Sequence, residues 1–271
     1  MIQTPTFKNK AELFDWLIEN KSALIAQKKS AIKEADAISF QAPIINDKGG
    51  VCKSESEIPA TATKIKVRSI INTTKIMDSH SDVHIDQIWN KSLKENKENY
   101  LCNQHNFSFE GIISDNVKAF VKQMTWKELG FDFEGNTQAL VFDSVIDKSD
   151  NPMMFDKYRQ GKVKNHSVGM RYVSLKMAIN DDRYENEKAT WDKYIDMVAN
   201  KEDAEVQGYF WAVTEAKVIE GSPVVKGSNY ATPTQRVEET KTDAVIDTAE
   251  KIEPAAATHK ESIFSNLKLL K

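Results

Sequence analysis

Cysteine is nearly missing from this chain. Only Cys52 and Cys102 occur in 271 residues, far apart and in no metal-ligand spacing. A disulfide framework is therefore not expected, and a reducing, cytoplasmic setting is the default. Any apolar run near the ~18 residues needed to cross a bilayer as a helix is also missing. The opening segment MIQTPTFKNKAELFDWL does not combine a basic region, an apolar stretch and a small-residue cleavage site. It is not expected to act as a secretory signal. Charge of one sign is not in excess either: 37 Lys and Arg face 40 Asp and Glu, for a net charge of -3. With the charges well mixed, nothing argues electrostatically for a nucleic-acid partner. The length suffices for one substantial domain plus extensions, or for two small ones.

Three regions are present. Between residues 8 and 40, Leu13, Phe14, Leu17, Ile18, Leu24, Ile25 and Ile32 recur at spacings of three, four and seven. That period predicts one or two helices, packed on the domain or on a partner. QAPIINDKGGVCKSESEIPATAT then reads as a loop, with its Pro, Gly-Gly and Ser/Glu cluster. From residue 63 the texture changes. TKIKVRSIIN alternates polar and β-branched residues, the period of a half-buried strand. Further strand-like pieces follow at 110–126, 137–146, 166–179 and 205–219, with helix-like stretches at 86–96, 152–161 and 183–201. Strands with helices in the connections predict an α+β domain on a largely antiparallel sheet or barrel. After about residue 231, TPTQRVEETKTDAVIDTAEKIEPAAATHKES has no aromatic residue and reads as a flexible tail. SIFSNLKLLK regains apolar residues and could serve as a docking peptide. The expected division is a helical extension at 1–62, a domain at 63–232 and a tail at 233–271. No internal repeat is evident.

Four groups of residues could carry chemistry. In DSHSDVH, His80 and His84 are four apart with Asp82 between them. On a helix this would place two imidazoles on one face, as in zinc hydrolases. The run follows a strand, however, and its Ser/Asp content reads as a turn. Cys102 and His105 in YLCNQHNFSF supply two ligands, and nothing nearby completes a site. In VKNHSVGMRYVSL, Ser167 needs a base to take its proton, and that base needs an orienting group. His166 adjoins Ser167, but neighbours on a strand point to opposite faces, so the more distant His105 is the better base. Ser167, Gly169 and Arg171 would share one face, with Gly169 leaving room for a substrate and Arg171 near a developing oxyanion. Finally, EGSPVVKGSN at 220–229 reads on its own as a tight turn closing the last strand.

Taken in order, NTTKIMDSHSDVHIDQIWNKSLKEN, YLCNQHN, MMFDKYRQGKVKNHSVGMRYVSL and AVTEAKVIEGSPVVKGSN resemble successive motifs of the tailed-phage prohead (capsid maturation) proteases. The resemblance covers roughly residues 63 to 232. It implies an assemblin-like fold, a mostly antiparallel β-barrel surrounded by helices. It also implies a serine endopeptidase with Ser167 as nucleophile and His105, borne on a strand, as base. Glu220 matches the family's Glu-x-Ser element and would orient His105, with Asp82, His80, Asp143 or His166 as alternatives. Met170, where many relatives have an aromatic, and HSDV, in place of a Gly-Asp turn, depart from the pattern without removing a reacting group. The implied substrates are scaffold segments, the major capsid protein and the enzyme itself. The implied location is the assembling procapsid in the host cytoplasm, with no cofactor or metal and no nucleic-acid or membrane partner. Whether the chain forms a homodimer stays open. Two other readings remain: an idle scaffold or capsid-assembly protein using the barrel for binding, and a metal-dependent hydrolase built on His80, Asp82 and His84.

Overall fold

The computed structural model describes residues 5–31 and 58–240. The expected helical stretch near the N-terminus folds as α1 (Lys10–Glu19) and α2 (Lys21–Ser30). The Asn9 side chain starts α1 by accepting the Glu12 N–H at 2.9 Å, satisfying one of the amides a helix start leaves without a partner. The predicted continuation to residue 40, the loop of 41–57 and the segment beyond 240 lie outside the described residues.

Nine strands form among the described residues: β1 (Lys64–Thr73), β2 (Asp82–His84), β3 (Leu101–Cys102), β4 (Ile112–Ser114), β5 (Val117–Thr125), β6 (Asn136–Asp147), β7 (Asn165–Ile179), β8 (Tyr209–Val224) and β9 (Thr234–Glu239). Of these, β1 and β4 to β8 fall on the five predicted pieces, whereas β2, β3 and β9 do not. Four more helices occupy the connections: α3 (Asn90–Glu95), α4 (Pro152–Arg159), α5 (Glu185–Tyr194) and α6 (Lys201–Gln207). In α4, Asn151 caps the Met154 N–H and Pro152 occupies the first turn, where a missing N–H costs nothing. The predicted strand at 205–219 begins late. Residues 201–207 are helical, and Gly208 ends that helix at φ +81.

The chain is thus α+β and mostly antiparallel. One sheet runs β5-β6-β1-β9; the other centres on β8, flanked by β2 and β3 in parallel and by β7 in antiparallel pairing. Among the described residues the pairings form two sheets and no closed ring of strands. A bridge between Asn165 and Pro233 joins the start of β7 to the entry of β9. In the first sheet, Arg68 of β1 grips Asp143 of β6, its register partner, through two contacts of 2.7 and 2.8 Å. A one-residue slip of either strand would put Arg68 and Asp143 on opposite faces and break the pair.

The main core joins residues of both sheets, among them Val67, Leu140 and Phe142 from the first and Val168, Met170 and Val213 from the second. Each such side chain contributes roughly 1.5–3 kcal/mol by leaving water. At Gly221 the sheets approach closely: an added Cβ would lie 2.8 Å from Phe142 and 3.0 Å from Ile71. Phe14 and Leu17 of α1 are buried in the same core. Residues of the expected N-terminal extension are therefore part of the folded body. The expected boundary at 232 also moves. Residues 234–239, read as the start of a tail for want of aromatics, form β9 against β1, because strand pairing needs only a free edge and alternating side chains.

Candidate active site

Ser167 and Glu220 come together through the pairing of β7 with β8. Ser167 lies opposite Ser222, and Gly169 opposite Glu220. Directly paired residues point to the same face with their Cβ atoms about 5 Å apart. One face therefore carries Ser167, Gly169, Glu220 and Ser222. The other carries Val168 and Met170, which enter the core. His166 shares that second face. Its Nδ1 donates to the Thr232 carbonyl at 3.2 Å, so its Nε2 accepts from the Tyr158 hydroxyl at 3.0 Å. Burial pushes the His166 imidazole down to about 4. As alternation predicts, the histidine next in sequence is a structural group facing away from Ser167.

His105 is brought in by a turn and not, as expected, by a strand. After the two-residue β3, the Asn106 N–H returns to the Asn103 carbonyl at 3.0 Å. The two residues between them, Gln104 and His105, have φ of +50 and +61. Left-handed backbone at both central positions is the geometry of primed turns and is disfavoured for residues with a Cβ. Such strain persists where the surroundings over-determine it, and here they do. Leu101 pairs with Gly221, which lays the turn over Glu220 and Ser222. The His105 N–H donates to Ser222 Oγ at 3.0 Å, and His105 Nδ1 lies 2.6 Å from Glu220 Oε1. Ser222 Oγ in turn donates to Glu220 Oε2 at 2.5 Å. One hydroxyl thus holds both the backbone of the histidine and the carboxylate on its ring.

The contact fixes the tautomer: a carboxylate accepts, so Nδ1 carries the proton and Nε2 is left as an acceptor. Nε2 is buried and has no hydrogen-bond partner. The Ser167–His105 hydrogen bond is therefore not made in this structure, although Ser167 stands one strand away from the hydroxyl that holds His105. Ser167 is 8% exposed and Glu220 3%. The room over Gly169, expected to admit substrate, is filled by Glu220. A Cβ at residue 169 would overlap Oε1 and come within 2.9 Å of Cδ. The role of Ser222 was not legible in the sequence beyond its place in the Glu-x-Ser element.

The other named residues sit elsewhere. Arg171 is exposed; by alternation it shares the Ser167 face, but four strand residues at ~3.3 Å each put it about 13 Å along. Asp82 is engaged by Lys28 at 2.6 Å and by the Tyr172 hydroxyl at 2.8 Å. Asp143 belongs to the Arg68 pair. The DSHSDVH run is a turn followed by β2, with Asp78 Oδ1 accepting the N–H groups of His80 and Asp82. Both ring nitrogens of His84 are engaged, by Asn72 and Tyr172. Among the described residues no three His, Cys, Asp or Glu side chains gather as metal ligands. Cys102 is buried; desolvation, then the Glu220 charge, pushes its thiol up to about 12, so it stays protonated and unreactive. Among the described residues no helix is long and apolar enough to cross a membrane.

What the site holds, then, is a carboxylate–imidazole pair whose buried Nε2 has no hydrogen-bond partner, with Ser167 on the same face of the sheet. The chain matches no protein-family model, no curated protein and no solved structure.

Proposed function

We propose that the chain is a serine endopeptidase with Ser167 as nucleophile, His105 as general base and Glu220 as the group that orients His105. The observation that carries this reading is the buried His105–Glu220 contact, with Nε2 unpartnered on the histidine and Ser167 on the same face of the sheet. A histidine that serves only structure, such as His166, has both ring nitrogens satisfied.

In this mechanism His105 Nε2 takes the proton from Ser167 Oγ as that oxygen attacks the scissile carbonyl. The imidazolium formed is stabilised by Glu220 and protonates the leaving amine. A water, deprotonated by the same nitrogen, then releases the acyl group from Ser167. The first step needs a Ser167–His105 hydrogen bond, and such contacts often tighten only in the substrate complex. Backbone N–H groups would stabilise the oxyanion, one well-placed donor being worth on the order of 3 kcal/mol. Arg171 lies too far along the strand to reach the attacked carbonyl directly, and a role in holding substrate suits it better.

The resemblance to the prohead maturation proteases supports a finer reading. The two sheets would correspond to an assemblin-like barrel. The substrates would be scaffold segments, the major capsid protein and the chain itself, inside an assembling procapsid. PAAATHKES, outside the described residues, is the candidate self-cleavage region.

The unmade Ser167–His105 hydrogen bond also fits a second reading, an assembly protein that keeps the fold for binding without catalysis. Co-expression with a candidate capsid protein separates the two. Intact-mass spectrometry should show trimming by the wild type and none by Ser167→Ala. Equal trimming by both would remove Ser167 as nucleophile, and trimming by neither, even in assembled particles, would favour the binding reading.

A further inference from the structure

The turn that carries His105 is part of a loop, residues 103–111, that closes on itself. The Asn103 N–H donates to the Gly111 carbonyl at 2.7 Å, and the Gly111 N–H to the Ser108 carbonyl at 3.0 Å. A Cβ at Gly111 would lie 1.9 Å from the Asn106 carbonyl oxygen, so the loop has no slack there. Within it two phenylalanines stand open to water, Phe107 at 57% and Phe109 at 94% exposure. Both line a groove of about 760 Å³, together with Tyr100 and Ile112 and with the acids Glu110, Asp115 and Asp150. Tyr100 and Phe107 meet edge to face, their ring centres 5.5 Å apart. All three carboxylates are exposed, and among the described residues no Lys, Arg or His lines the groove. Glu110 accepts from Ser108 Oγ at 2.9 Å and Asp150 from Ser149 Oγ at 3.3 Å, neutral donors that cancel neither charge.

An apolar groove alone names no occupant; here the charges do. Aromatic faces attract cations, and carboxylates beside them add charge-assisted hydrogen bonds. The same carboxylates repel nucleic-acid phosphates and acidic lipid headgroups. Lys and Arg lay an apolar stem along such rings while the charged head reaches a carboxylate. Aromatic residues are also enriched at the centres of protein interfaces, and a ring as open to water as Phe109 buries little in the fold itself. We propose that this groove docks a partner polypeptide through a basic segment, one that presents an Arg or Lys next to an apolar residue. The proposal does not rest on the protease reading. Phe107 lies two residues past His105, so a docked partner is held beside the site whatever chemistry the site performs.

The probes are two fluorescent peptides, acetyl-Gly-Leu-Arg-Leu-Arg-Gly and its Gln-Gln counterpart, titrated against the full chain by fluorescence polarisation at fixed salt. Ser167→Ala serves as the parent, so that no cleavage disturbs the titration. The Arg peptide should bind about ten times more tightly than the Gln peptide. Asp115→Asn with Asp150→Asn should remove most of that preference, and Asp115→Lys with Asp150→Lys should abolish it. Phe109→Ser should weaken the Arg peptide about fivefold with both acids in place. These side chains are exposed, so thermal melting of each variant should stay near that of the parent. Equal binding of the two peptides overturns the proposal. So does an Arg preference that survives charge reversal or is untouched by Phe109→Ser, since the peptide then sits elsewhere or feels only the general field. Spermidine displacing the peptide at equal concentration would make the ligand a small polycation and overturn the polypeptide reading. Self-association in sedimentation velocity that disappears with Phe109→Ser, in a chain that ignores the Arg peptide, would put a second copy in the groove instead and overturn it as well.

Discussion

His105 Nδ1 and Glu220 Oε1 lie 2.6 Å apart, although 115 residues separate them in the chain. Both side chains are largely out of water, at 8% and 3% exposure. Burying a carboxylate so deeply is costly unless its oxygens find donors. Glu220 has two, the His105 ring on one oxygen and Ser222 Oγ on the other. The same two bonds hold the imidazole in one tautomer and one orientation, which is what a general base requires.

Replacing Glu220 with Gln keeps the size and removes the charge. Nδ1 could then face an amide N–H, and the ring would lose both its tautomer preference and the partner that stabilises its protonated form. Peptide hydrolysis should fall by about 10³- to 10⁴-fold with a modest change in KM. Steady-state kinetics on a cleaved peptide checks this, and a loss under tenfold would remove Glu220 from the mechanism.

Gly169 is required by contact and not by backbone conformation. The methyl group of Gly169→Ala would overlap the Glu220 carboxylate, so the carboxylate must move away from His105. Overpacking of this kind costs typically 1–3 kcal/mol, on the order of a several-degree drop in Tm. Activity should fall further than stability does. A variant with wild-type kcat would mean that Glu220 can shift without harm to catalysis.

Ser222→Ala removes the hydroxyl shared by the His105 N–H and Glu220 Oε2. Each buried group left unsatisfied costs about 1–3 kcal/mol. Because the N–H belongs to a residue at positive φ, the turn itself should loosen. Hydrogen exchange at the His105 amide should accelerate relative to distant strand amides, and kcat should drop more than KM rises. Unchanged exchange at that amide would contradict the anchoring role of Ser222.

His166 supplies a pH dependence that is separate from catalysis. Its pKa is lowered to about 4 by burial, against an ordinary value near 6.5. The unfolded chain therefore binds a proton more readily than the folded one, and stability falls as pH drops from about 6.5 towards 4. The contribution is fully present above that window and amounts to about 3 kcal/mol across it. His166→Gln, which retains an amide donor and a carbonyl acceptor, should flatten this part of a Tm-against-pH curve. Parallel curves for the two proteins would show that His166 titrates normally in the fold.

By itself the sequence determined most of the elements and the faces their side chains take. Period-two runs marked β1, β6, β7 and most of β8, because strand alternation is a local property. The Pro at the start of α4 and the apolar spacing of α1 were legible for the same reason. Alternation alone also places His166 on the face away from Ser167. What lay beyond reach depends on chain segments far apart in sequence. Residues 234–239 carry no strong strand signal, and only the free edge of β1 makes them β9. The turn at His105 follows a strand too short to show a period, and its left-handed backbone is tolerated because Ser222 and Glu220 hold it. The resemblance put Glu220 ahead of Asp82 and Asp143 only by its place in a motif; its contact with the histidine comes from the register, for Asp82 is held by Lys28 and Asp143 by Arg68, while β8 sets Glu220 beneath the ring. Local sequence chooses helices, strands and the faces of side chains. Which carboxylate meets which imidazole is decided by pairing across strands, and only the tertiary structure settles that.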